Sequence, residues 1–270
     1  MTTLIDAWPR PRHVRTDALA QVDLFCFSPG PLRDAPMSAL KYGLPAQGAM
    51  EGLAVQDVPR SADPAWFDAF RRGALRNVAA AQLGPALSDL DAASGVHVIR
   101  LSKPDPADLT HLQAAWAVAK WLVDRGVTVV LDAHAQRFWK AEELRDWPAA
   151  RPFALSAEVS VLVEDTPQPD GSYLVHTRGM RKLARPDLVA LGVPREKWDQ
   201  AGALLRTLAL AMAGGVALRA GETTREAKTP LRLAPYAPPG NAPQLHLNND
   251  GLLVEDLDGP GLAKTLASAP

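Results

Sequence analysis

Residues 96–134 read VHVIRLSKPDPADLTHLQAAWAVAKWLVDRGVTVVLDAH, and the periodicity of this stretch decides the fold. Val96 to Leu101 is dense in β-branched and aliphatic residues, which predicts a strand. Asp105 is placed to cap a helix, with Pro106 at its first position and Asp108 in its first turn, where a carboxylate suits the positive end of the helix dipole. Leu109, Leu112, Trp116, Ala119 and Val123 recur every three or four residues as one apolar stripe, which Gly126 closes. Val127 to Leu131 is again almost wholly β-branched or aliphatic, as a strand buried on both faces should be. The stretch is a β-α-β unit.

Downstream, Ala157 to Val163 alternates with Val159, Val161 and Val163 on one side, and Asp170-Gly171 marks a hairpin turn into Tyr173 to Arg178. If the valines face the core, a period of two puts Tyr173, Val175 and Thr177 inward and Leu174, His176 and Arg178 outward. A second long helix starts at Pro194 and carries Trp198, Ala201, Leu205, Leu208 and Met212 before Gly214-Gly215. Short strands are expected near Val216–Arg219, Leu231–Leu233 and Gly251–Glu255. Upstream, a strand at Val22–Phe27 precedes a proline- and glycine-rich connection over 29–63, after which Asp63 and Pro64 open a helix bearing Trp66, Phe67, Phe70, Ala74 and Val78.

Strand, helix, strand, hairpin, helix and strand in that order predict an α+β fold: a two-layer sandwich with a mixed or antiparallel sheet of split-βαβ, ferredoxin-like type and helices on one face. The expected organisation is an N-terminal strand and irregular segment over residues 1–62, attached to one α+β domain over 63–270.

Composition bounds the function. With 29 basic and 30 acidic residues among 270, the net charge of -1 removes the uniform attraction to phosphate backbones that nucleic-acid binding needs. A single cysteine, Cys26, forms neither an internal disulfide nor a Cys-x-x-Cys site. The first 20 residues lack the apolar core of a signal peptide, and the longest apolar run, Leu204–Val216, is interrupted by Arg206 and two glycines. A cytoplasmic bacterial protein with no membrane span and no nucleic-acid partner is expected. Phosphate-loop, dinucleotide, nucleophile-elbow and His-Glu-x-x-His motifs are absent, and no cofactor is implied.

Two constellations carry chemistry. Arg178, Arg181, Lys182 and Arg185 lie within eight residues that hold no acid, directly after a predicted strand. Set together in solvent, they would grip a carboxylate or phosphate, so the leading expectation is a non-catalytic module that binds an acidic protein or a small anionic ligand. The alternative is a metal-assisted hydrolase. Asp132 and His134 project from one side of a strand's C-terminal end, and His176 would be a third ligand. Cys26 alternates with Val22 and Leu24 and reads as a small core residue.

The segment His176-Thr177-Arg178-Gly179-Met180-Arg181-Lys182-Leu183-Ala184-Arg185-Pro186-Asp187-Leu188 resembles uncharacterised bacterial proteins grouped only as domains of unknown function. In that family a similar strand ends in a Thr-x-Gly-Met turn ahead of a long helix; Leu183 and Ala184 stand where Phe-Gly is usual, and Gly221-Glu222-Thr223 is similar to the family's Gly-Asp-Thr step. The resemblance spans residues 96–225 and implies a fold, with no catalytic residue to transfer.

Overall fold

A computed structural model describes residues 5–45, 50–168, 170–237 and 248–267. The chain is α+β and forms two compact units. The first comprises residues 1–9 and 19–153; the second comprises residues 10–18 and 154–270.

The first unit holds a five-stranded sheet in the order β2-β3-β1-β4-β5, from Leu19–Ser28 (β1), Leu53–Pro59 (β2), Gly95–Pro104 (β3), Val129–Asp132 (β4) and Arg137–Lys140 (β5). Every neighbouring pair is antiparallel, so the β-α-β unit read from residues 96–131 is real but has β1 inserted between its two parallel strands. One face carries Phe27, Val96, Val98, Val129 and Leu131, packed against Phe67 and Phe70 and against Leu83 and Leu90. These come from α2 (Pro64–Ala69), α3 (Gly73–Leu83) and α4 (Leu87–Ala92), which follow a short α1 at Ala39–Tyr42. On the other face Leu24, Cys26, Ile99 and Val130 are also fully buried, and α5 (Thr110–Arg125) packs on β1 and β3. Helices therefore cover both faces of this sheet, not one. At 25 cal/mol per Å², burial of such apolar area is the term that holds the layers together.

Local chemistry explains the helix ends. The Asp63 carboxylate accepts from Trp66 N at 2.9 Å, as its N-cap position predicts. The helix it opens stops at Phe70, and α3 restarts beyond, with Gly73 at a φ of +61°. Asp105 does not cap α5: that helix begins at Thr110, where Asp108 accepts from the Thr110 amide at 3.0 Å and from its hydroxyl at 2.6 Å. After β5 comes α6 (Ala141–Asp146), and Trp116, Trp139 and Trp147 stack edge to face with centroids 4.9–6.1 Å apart. Trp139, in β5, and Trp147, just after α6, thus belong to a packed cluster.

The second unit opens with α7 (Leu155–Glu158) and has a mixed six-stranded sheet, β6-β7-β8-β11-β10-β9. The hairpin of β6 (Ser160–Val163) and β7 (Tyr173–Arg178) forms where expected, with Gly171 at a φ of +80° in the turn. An unanticipated strand, β8 (Asp187–Val193), pairs with β7 and runs parallel to β11 (Gly251–Asp256). β9 (Thr223–Thr224) and β10 (Leu231–Tyr236) complete the sheet, whereas residues 216–219 form no strand. Helix α8 (Trp198–Ala213) buries the predicted stripe Ala201, Leu205, Leu208 and Met212, and α9 (Ala263–Ala267) follows β11.

Two expectations are corrected by this arrangement. The strands between residues 96 and 219 are shared between two sheets, so they do not make the single split-βαβ sandwich. The N-terminal strand is no appendage of a 63–270 body, because β1 is the central strand of the first sheet. Residues 12–14 lie against Gly214 and Gly215, with Arg12 N to Gly214 O at 2.9 Å and Val14 N to Gly215 O at 3.0 Å. Gly215 has a φ of +111°, and a Cβ there would sit 2.4 Å from the His13 backbone, so only glycine lets these two backbone segments approach.

Candidate functional site

The four cations singled out in the sequence are not a solvent-facing patch. Lys182 is fully buried and donates to Glu158, itself fully buried, at 2.8 Å. Arg185, 2% exposed, donates to the carbonyls of Val14 (3.0 Å), Ala184 (2.8 Å), Gly215 (3.0 Å) and Val216 (3.0 Å). Arg181 donates to Asn248 O at 2.7 Å. Arg178 is buried at the end of β7, where loss of water lowers its pKa and the charges of Asp187 and Glu164 work against that shift. These groups tie the sheet, the helix end and residues 10–18 together. Buried cations need partners: Lys182 has found Glu158, and Arg181 and Arg185 have found backbone carbonyls, whereas the buried Nε of Arg178 has no hydrogen-bond partner among the described residues.

The proposed metal set is divided between the two units. Asp132 is fully buried and accepts from the amides of His134 and Ala135, each at 3.1 Å, which makes it the cap of the turn after β4. His134 Nε2 lies 2.9 Å from Asp23 Oδ2 in the first unit. His176 belongs to the other sheet and pairs through Nε2 with Glu164 at 2.8 Å. It is fully buried, as is Thr177 beside it, so the expectation that one side of β7 faces solvent fails at this end. Among the described residues, no group of three or more His, Cys, Asp or Glu side chains is arranged to hold a metal ion.

A different constellation assembles on the first sheet. The ladder sets Ser28 opposite Gly95, Cys26 opposite His97, and His97 opposite Asp57. Residues directly opposite share a face and next-nearest residues along a strand return to it, so Ser28, His97 and Asp57 project from one side of three adjacent strands. Their side chains connect: Ser28 Oγ is 3.1 Å from His97 Nε2, and His97 Nδ1 is 2.6 Å from Asp57 Oδ1. Ser28 is 1% exposed and His97 8%, whereas the Asp57 side chain, on the edge strand β2, is 75% exposed. The serine therefore lies at the inner end of the series and the carboxylate at the outer end.

Surrounding hydrogen bonds fix the serine's backbone. Ser94 N donates to Ser28 O at 2.9 Å, Ser94 Oγ donates to Pro29 O at 2.8 Å, and Arg60 N donates to Ser94 O at 2.9 Å. Ser28 Oγ also donates to Gly30 O at 2.9 Å. The hydroxyl has one proton, so its direction depends on the imidazole. When Nε2 carries hydrogen, it donates to Oγ and the serine proton goes to Gly30 O. When the hydrogen is on Nδ1, directed at Asp57, the bare Nε2 can accept the serine proton.

The three residues line a cavity of about 350 Å³ with Gly30, Pro31, Pro59, Ser94 and Gly95. That volume is at the lower end of what small-molecule sites occupy. Sequence reasoning missed the group because its members come from three strands and show no spacing motif. Asp57 lay inside the stretch read as an irregular connection, and His97 looked like one more strand residue.

Comparison of the chain with protein-family models, with curated proteins and with solved structures finds no match.

Proposed function

We propose that the first unit is a serine-dependent acyl hydrolase, with Ser28 as nucleophile, His97 as general base and Asp57 as the group that orients the imidazole. One observation carries this reading: the Ser28–His97–Asp57 series, with heavy-atom separations of 3.1 and 2.6 Å, at the wall of a cavity. A serine hydroxyl is a weak nucleophile until a base removes its proton, and a base works best when a third group holds its tautomer.

The chemistry is as follows. Ser28 Oγ forms a bond to the carbonyl carbon of an ester as its proton passes to His97 Nε2. His97 Nδ1–H remains donated to Asp57, whose carboxylate stabilises the imidazolium. The carbon–oxygen bond to the alcohol then breaks, and the alcohol leaves with the Nε2 proton. Water, deprotonated by the same nitrogen, adds to the acyl-serine; loss of Ser28 Oγ releases the carboxylic acid and restores the hydroxyl.

The anion-binding module expected from residues 178–185 has lost its support, since its cations serve the interior of the second unit. The test of the hydrolase is labelling. A fluorophosphonate should add to Ser28, as read by peptide mass spectrometry, and Ser28→Ala and His97→Ala should each abolish labelling. Ester turnover should fall by roughly 10⁶-fold on loss of either residue, the scale seen when the nucleophile or the base of a triad is removed. Absence of label on Ser28 in the folded protein overturns the reading.

A further inference from the structure

We propose that this site takes short, uncharged acyl groups, and that Gly95 sets their size; the inference rests on the hydrolase reading above. Gly95 faces Ser28 across the β1–β3 ladder and Pro59 across the β2–β3 ladder. Its backbone is ordinary strand and lies outside the positive-φ region, so its conformation does not demand glycine. A Cβ built on it would lie 3.7 Å from Ser28 Oγ and 4.0 Å from Val58 O, which are plain van der Waals contacts. The missing side chain therefore relieves no clash. What it leaves open is the space next to the serine oxygen, where the acyl carbon must come.

Size follows from the same geometry. The serine is 1% exposed, so a substrate has to reach inward, and the cavity volume is about 350 Å³. With about 30 Å³ per water-sized group, that space holds on the order of ten non-hydrogen atoms, the leaving alcohol included. An acyl chain of eight carbons would exceed it once the alcohol is added. Charge is restricted as well. Among the lining residues the formal charges are the Asp57 carboxylate and the His97 imidazole when protonated, with no lysine or arginine. An acyl group ending in a carboxylate would meet Asp57 without a cation to receive it.

The experiment is a substrate series on the full chain, followed by acid release in a pH-stat: the methyl esters of acetate, butanoate, pentanoate and octanoate, and the monomethyl ester of succinate. Expected are values of kcat/KM about tenfold or more lower for octanoate than for butanoate, and for succinate than for pentanoate, the scale that a poorly fitting pocket imposes. Gly95→Ala should lower butanoate turnover more than acetate turnover, and Gly95→Val should widen that ratio. If Gly95→Val does not fold by circular dichroism, the alanine variant, which meets only ordinary contacts, decides alone. Turnover that depends on Ser28 but has a flat profile, unmoved by Gly95→Ala, overturns the substrate assignment and leaves the hydrolase standing. Equal turnover by wild type and Ser28→Ala overturns the hydrolase itself.

Discussion

Replacing Asp187 by asparagine should change how the stability of the second unit depends on pH. Asp187 opens β8 and is fully buried, with Oδ1 accepting from Thr177 Oγ1 at 2.9 Å and from Met180 N at 3.3 Å. Asn249 Nδ2 donates to its other oxygen at 3.1 Å. Burial pushes the Asp187 carboxyl up from 3.8 to about 6, against the opposing pull of those donors and of His176. The sign follows: between pH 4 and 6 the folded state holds a proton that the unfolded chain has released, so stability falls as pH rises through this window. A shift of about two units corresponds to about 3 kcal/mol lost between pH 4 and pH 8. Asparagine keeps one acceptor for Thr177 and Met180 but turns an amide toward Asn249, which also donates to Arg185 O at 2.8 Å. That lost bond costs about 1 kcal/mol at every pH. The variant should therefore be the less stable protein at pH 4 and the more stable one at pH 8. Urea unfolding across that range, followed by hydrogen-exchange mass spectrometry on peptides covering β7 and β8, isolates this sheet. Stability curves for wild type and Asp187→Asn that stay parallel would refute the argument.

Three further outcomes are expected. Lys182→Ala leaves Glu158 buried without its cation and should destabilise the second unit by about 3–5 kcal/mol, measured by urea unfolding. Gly215→Ala forces a Cβ to within 2.4 Å of the His13 backbone at a positive φ, so amides of residues 12–14 should lose hydrogen-exchange protection before the sheet does. Cys26 is buried and its thiol pKa is pushed up by loss of water, so iodoacetamide should leave it intact in the native protein at pH 8 and modify it readily in urea.

Legibility followed locality. The β3–α5–β4 unit, the hairpin at Asp170-Gly171 and the stripe of α8 are each specified by neighbours within a few residues, and all three form. β2 escaped notice because it is an edge strand whose residues 54–57 are all exposed, leaving no contrast between its two sides. β8 escaped because it starts just after Pro186 with an acid whose partners, Thr177 and Asn249, come from other strands or turns. Arg185 and Lys182 misled for the same reason: their partners sit at Val14, Glu158, Gly215 and Val216, and a run of charge looks solvated until those positions are known. Ser28, Asp57 and His97 are the extreme case, since only strand register brings them together.

Residues 10–18 belong to the second unit although the chain on both sides of them belongs to the first. Arg10 donates from Nε to Ala213 O at 3.2 Å and from Nη2 to Leu183 O at 3.1 Å, and so seals the C-terminal end of α8. No single cut of the polypeptide can therefore yield both halves whole. Cleavage after Phe153 would strand that nine-residue strap on the wrong fragment, and Arg185 would lose its bond to Val14. During synthesis the strap must wait, unsatisfied, until nearly two hundred later residues have emerged to receive it.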